Sequence, residues 1–151
     1  KGIRYLVEAF KGVRTDKKLV IAGGSSDTDA FAKELKELGR DDGRILFTGF
    51  VQGRILGELY SNAYLYVLPS DLEAMSYGNC CLTSDIAECV EVVEDQAVTF
   101  QKGNVEDLRE KLQVLCDQPE MVGSYKDQAA DFICGKYDWD RVVERTLELY
   151  R

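Results

Sequence analysis

The 151-residue chain carries 27 acidic against 19 basic residues, a formal net charge of -8, which disfavours a phosphate backbone or an anionic membrane surface as partner. With 45% hydrophobic and 30% charged residues it has an ordinary globular composition and enough length for one domain with a real core. The absence of histidine removes Ser-His and Cys-His pairs, histidine metal sites and histidine proton shuttles, leaving acid–base chemistry to carboxylates, lysine, tyrosine or cysteine.

Apolar residues Ile3, Leu6, Val7 and Phe10 recur at helical spacing and predict a first helix ending near Val13. Leu19-Val20-Ile21-Ala22 is a continuous apolar run stopped by Gly23-Gly24, as a buried parallel strand would be. Ser26 or Asp27 can cap a helix carried by Phe31, Leu35 and Leu38 and ended at Gly39. Ile45-Leu46-Phe47 predicts the next strand, with Thr48 to Val51 as a loop and then a short helix bearing Leu56, Leu59 and Tyr60. A strand over 64–68 closes at Pro69-Ser70, a brief helical stretch over 72–77 leads to Gly78, and Cys80-Cys81-Leu82 is again strand. Residues 86–93 predict a short helix and 97–100 a last strand. The remainder is helical: Asn104 caps a helix through Leu108, Leu112 and Leu115, Pro119 starts another, and Asp138 caps one through Val142, Val143, Leu147 and Tyr150.

Alternating strands and helices imply right-handed crossovers and a doubly wound, mostly parallel Rossmann-like α/β sheet with helices on both faces, read as a single domain over 1–151. Ligands of such sheets lie at the carboxyl ends of the strands, which points to Gly23-Gly24-Ser25, Gly49 to Gly53, and Pro69 to Glu73. The five cysteines, Cys80, Cys81, Cys89, Cys116 and Cys134, show no C-x-x-C spacing and read as reduced thiols in a cytoplasmic protein rather than a zinc site or a disulfide framework. No apolar run has the length of a membrane span and no signal-peptide pattern is present. Lys1-Gly2 runs straight into the helical pattern, as in a piece cut from something longer.

The segments LVEAF, LVIAGG, ILFTGFV, ELYSNAYLYVLPSDLE, EAMSYGN, VEVVED and WDRVVERTLELY follow the order found in retaining GT-B glycosyltransferases, the large family that includes bacterial glycogen synthases and mannosyltransferases. The resemblance spans nearly the whole chain, and its joint order is more specific than any one piece. It implies the C-terminal, nucleotide-sugar-binding half of a two-domain enzyme, with the N-terminal acceptor domain absent from this chain. Lys1 matches the lysine of the family's KG motif, whose ammonium would stabilise the departing diphosphate much as a metal ion would; otherwise it is a solvated lysine. The family's arginine just upstream of that lysine is absent. Gly23 and Gly24 match a turn that lets backbone lie close to the donor, although Gly-Gly after a strand is commonly only a tight turn. Gly49, Phe50, Val51 and Gly53 match the loop that reads the nucleobase through backbone groups, while Phe50 serves equally well as core.

The family carries two glutamates in an E-x7-E motif, one facing the donor sugar's hydroxyls and one the ribose hydroxyls, where a carboxylate accepts from two neighbouring donors. The loop and helix N-terminus between them cradle the diphosphate. Here PSDLE matches the approach to the first glutamate and EAMSYGN the segment from the second, so both glutamates fall on the single Glu73, next to the donor-binding candidate Leu72, and roughly two helical turns are missing between them. Either the chain has lost these residues or the sequence as given skips them. The second is favoured, because direct joining removes the helix that seats the diphosphate. Glu73 is otherwise an ordinary surface carboxylate.

Asp71, Asp85, Glu88 and Glu91 have no spacing that demands a metal, and the family resemblance implies a reaction without metal or cofactor. Trp139 resembles part of the family's closing helix and reads as packing. The expected function is therefore donor binding in a retaining hexosyl transfer from a nucleoside-diphosphate sugar to an acceptor hydroxyl, with Lys1 and Glu73 as the catalytic pair. This chain alone would be inactive. The alternative is a non-catalytic nucleotide-binding or regulatory module that has lost its donor loop. A response-regulator-like domain is a poorer match, because the first strand ends in Ala22-Gly23-Gly24 rather than an acidic cluster.

Overall fold

The computed structural model describes residues 2–23, 29–67 and 71–137, and of Asp29 and residues 71–73 the backbone alone. Lys1, Gly24, Pro69, the proposed caps Ser26, Asp27 and Asp138, Trp139 and the final expected helix lie outside these residues. The elements alternate as expected: α1 (Gly2–Lys11), β1 (Leu19–Ala22), α2 (Asp29–Gly39), β2 (Ile45–Gly49), α3 (Arg54–Ser61), β3 (Tyr66–Val67), α4 (Asp71–Ser76), β4 (Cys81–Ser84), α5 (Ala87–Val93), β5 (Val98–Phe100), α6 (Val105–Asp117) and α7 (Pro119–Lys136).

Every strand pairing among the described residues is parallel, in two ladders: β1-β2, with Leu19 opposite Ile45, and β3-β4-β5, with Tyr66 opposite Cys81 and Leu82 opposite Val98. Two details differ from expectation. The sheet is divided between β1 and β3. In addition, β2 extends through Thr48 to Gly49, which were expected in the loop, because the register shifts after Ile21 and a bulge brings Gly49 opposite Ala22.

Alternation sends β4 side chains into different cores. Cys80, just before the strand, and Leu82 join Leu6, Ala9 and Val13 of α1, Leu108, Leu112 and Leu115 of α6, and Val98 and Phe100. Cys81 joins Tyr60, Ala74, Met75, Val93, Ala129 and Ile133. The three-stranded ladder is thus covered on both faces, and β4 is buried along its whole length. A third cluster sets Val7 and Phe10 of α1 against Ile45, with Ile21, Leu38 and Phe47 around them. The other face of the β1-β2 ladder is open, and Val20 and Leu46 lie on it at 40% and 41% exposure.

Local chemistry explains the boundaries. The Asn104 side chain accepts the Asp107 backbone N–H at 3.1 Å and caps α6. Pro119 opens α7, where its missing N–H costs nothing. Arg44 ties α1 to the start of β2, donating to the carbonyls of Val13 at 2.8 Å and Thr15 at 3.0 Å and pairing with Asp42 at 2.7 Å. This hydrogen-bonded pairing lowers the Asp42 carboxyl below its usual range.

Candidate functional site

Within each ladder the parallel strands bring their carboxyl ends to one edge, and the described candidate residues lie at such ends. Gly23 follows β1, Gly49 ends β2, and the Gly23 N–H donates to the Gly49 carbonyl at 2.9 Å. The glycine turn and the start of the Gly49 to Gly53 loop are therefore one hydrogen-bonded unit. Gly23, Gly49 and Gly53 have φ of 148°, 70° and 58°, values that L side chains rarely adopt. A Cβ at any of the three would meet nothing within 4 Å. Conformation, not crowding, is what calls for glycine, and the space above the turns is open.

Phe50 is 73% exposed, which removes the core role weighed for it; Val51 beside it is half-buried. Gly53 precedes α3 in the N-cap position without a side-chain cap, its carbonyl accepting the Gly57 N–H at 3.1 Å. Leu72 and Glu73 lie in the first turn of α4, after β3.

Sequence reasoning missed the residue that fixes α4 in place. Asn79 is buried, and its Nδ2 donates to the carbonyls of Tyr60 at 2.9 Å, the last turn of α3, and Ala74 at 3.1 Å, inside α4. Gly78, at φ 71°, turns the chain so that its own N–H returns to the Met75 carbonyl at 2.8 Å. Ala74 and Met75 are fully buried beneath, and Tyr77 stacks on Tyr60 with centroids 5.1 Å apart. The one available signal was a polar residue wedged between a glycine and an apolar strand.

Asp85 and Cys80 are committed elsewhere. The Asp85 carboxylate accepts the Lys102 backbone N–H at 2.8 Å, and its own N–H donates to Phe100 at 2.9 Å, so it closes the loop after β5. Burial pushes the Cys80 thiol up to about 11, which keeps it a protonated core group rather than a nucleophile. All five cysteines are free. No cluster of three metal-ligating side chains occurs among the described residues, and no helix among them is long and apolar enough to cross a membrane.

Comparison with known proteins bears on the fold and the family. Among curated relatives, an uncharacterized glycosyltransferase of Methanocaldococcus jannaschii is 26% identical across the whole chain and 42% of its own length. The alpha-maltose-1-phosphate synthase of Mycobacterium tuberculosis is 28% identical across the whole chain and 44% of its own length. These alignments run over 163 and 175 positions, more than the 151 residues here, so both include gaps in this chain. Among solved structures, Anabaena HepE in complex with UDP and glucose superposes with a TM-score of 0.87 at 16% identity, over 99% of this chain and 44% of that one. The chain thus has the fold of part of that protein and spans under half the length of the relatives it matches. The family model described as glycosyl transferases group 1 matches residues 1–118, and the chain belongs to that family.

Proposed function

We propose that this chain is the nucleoside-diphosphate-sugar-binding domain, C-terminal in its enzyme, of a retaining, metal-independent glycosyltransferase that passes a hexosyl group to an acceptor hydroxyl. One observation carries the reading. The Gly23 turn, the Gly49 to Gly53 loop and the α4 turn bearing Glu73 each stand at the carboxyl end of a parallel strand, β1, β2 and β3, in the order in which the family uses them. The superposition on a protein holding UDP and glucose supports the donor class.

Open backbone at Gly23 and Gly49 suits the close approach of a nucleotide, and exposed Phe50 offers a flat apolar surface beside it. Glu73, as a carboxylate, would accept hydrogen bonds from donor hydroxyls. Lys1 would offset charge that grows on the leaving diphosphate. The acceptor site, and the groups that act on the acceptor hydroxyl, belong to a partner domain of the same enzyme. The chain by itself would then bind nucleotide without turning over sugar.

Calorimetric titration with UDP, GDP and ADP, with AMP as a control for base contacts, tests this. Saturable binding of one diphosphate, weakened in Glu73→Ala, is expected and would name the base. A folded sample that binds none of them would favour the non-catalytic module, as the coincidence of two motif glutamates on the single Glu73 would then mark a lost donor loop.

A further inference from the structure

The two ladders are not paired with each other, so the Glu73 turn is set against the Gly49 to Gly53 loop by the helices that follow those strands. Helix α3 starts directly after Gly53, and α4 carries Glu73 in its first turn. With six residues, α4 is too short to hold itself in water, so its direction comes from what it touches. Ala74 and Met75 are buried with Ala129 and Ile133 of α7. Two side chains just beyond α4 reach α3: Asn79 and Tyr77.

Asn79 is one point of attachment. Its amide donates to the Tyr60 carbonyl in the last turn of α3, and a short helix tied to α3 at one point can still swing about it. Tyr77 supplies a second point. Its ring stacks on Tyr60 with centroids 5.1 Å apart and an interplanar angle of 19°. Tyr60 is itself buried and packs on Tyr66 of β3, with centroids 5.5 Å apart, so the surface it offers Tyr77 is fixed. From there the Tyr77 side chain runs back along α3: a Cβ on Gly57 would stand 4.0 Å from the Tyr77 hydroxyl. Gly57 precedes Tyr60 by three residues and shares its face of α3, and the Gly57 N–H donates to the Gly53 carbonyl at 3.1 Å. Tyr77 thus lies along α3 toward the end that meets the Gly49 to Gly53 loop. Its ring is 47% exposed, so much of it serves this contact and little of it the core.

We propose that Tyr77 is a positioning residue of the donor site. Its ring, laid along α3 from Tyr60 to Gly57, sets the direction of α4 and so places Glu73 relative to the Gly49 to Gly53 loop. The assignment deepens the donor-binding reading, on which it rests, and Tyr77 acts through Glu73 rather than on the nucleotide. The ring and not the hydroxyl makes the stack, so phenylalanine should serve in its place.

Calorimetric titration of the full-length protein with UDP, GDP and ADP tests this, each variant being scored on the diphosphate that the parent binds. Tyr77→Ala is expected to weaken that binding about tenfold, and Tyr77→Phe to stay within about twofold of the parent. In a Glu73→Ala background Tyr77→Ala should weaken binding by less than about twofold more, because the carboxylate it places is already gone. A tyrosine with a merely structural role would leave the affinity of the folded protein unchanged. One that touched the nucleotide directly would multiply the two losses, to about 100-fold. Either result overturns the proposal, as does a phenylalanine variant that binds no better than alanine. Tyr77→Leu, which has bulk but no ring to stack, replaces alanine should that variant not fold. A parent that binds none of the three diphosphates removes the donor-binding reading and the proposal together, whereas a parent and a Tyr77→Ala variant that bind equally well remove the proposal alone.

Discussion

Replacing Asn79 with alanine tests whether one buried amide holds the α4 turn against α3. The amide donates twice, to Tyr60 and Ala74. Each of those carbonyls also accepts a backbone N–H, from Ala63 at 3.3 Å and from Tyr77 and Asn79 at 3.3 Å each. Neither acceptor is stranded by the substitution, so the full desolvation penalty of an orphaned carbonyl does not apply, and each lost bond costs about 1 kcal/mol. The vacated volume beside fully buried Met75 and Ala74 adds about 1 kcal/mol. The expected loss is therefore about 2–3 kcal/mol, or roughly 5–10 °C in Tm for a domain of this size, read by urea and thermal unfolding. Asn79→Asp keeps the volume but turns an acceptor toward two carbonyls, so it should destabilise more than alanine does. An alanine variant within about 0.5 kcal/mol of the parent, or an aspartate variant milder than alanine, would refute the assignment. Because α4 carries Glu73, diphosphate affinity should also drop by about tenfold, equivalent to about 1.4 kcal/mol.

Three further outcomes follow from the same geometry. The Cys80 thiol, held near 11 by burial against an ordinary value near 9, favours the folded state fully below pH 9 and loses that contribution as pH rises toward 11; Cys80→Ala should flatten the alkaline fall in stability measured by urea unfolding. Asp42 is depressed, first by the Arg44 hydrogen bond, so its contribution is present above its unfolded value near 3.8 and is lost as pH falls below it. Asp42→Asn should remove that acid slope, and Arg44→Ala, which also loses the Val13 and Thr15 contacts, should cost about 2–3 kcal/mol at neutral pH. At Gly49, alanine meets open space but a φ of 70°, so the penalty is conformational, about 1 kcal/mol; diphosphate binding by titration should weaken with it.

Long amphipathic helices and glycine-stopped strands were legible because each is encoded within a few residues. The α6 stripe of Leu108, Leu112 and Leu115 with its Asn104 cap is one case, and Leu19 to Ala22 followed by Gly23 is another. The strand-then-glycine pattern also located the loops at the carboxyl ends of parallel strands, where such sheets bind their ligands. Asn79 was not legible in this way. Its partners, Tyr60 and Ala74, are 19 and 5 residues away, and no local pattern says that an amide will find two carbonyls. The bulge at Ile21 and Ala22 escaped for a related reason, because register belongs to a pair of strands and not to either alone.

The division of the sheet shows the limit most clearly. Val20 belongs to an apolar run that reads as a buried parallel strand and Leu46 to the next apolar strand, yet each is about two-fifths exposed. The runs encode an environment more complete than the one these residues meet. Leu82, equally apolar in sequence, is fully buried because β4 has strands at both edges and helices on both faces. Burial is thus a property of the finished sheet, and an apolar strand reports the neighbours it is built to have.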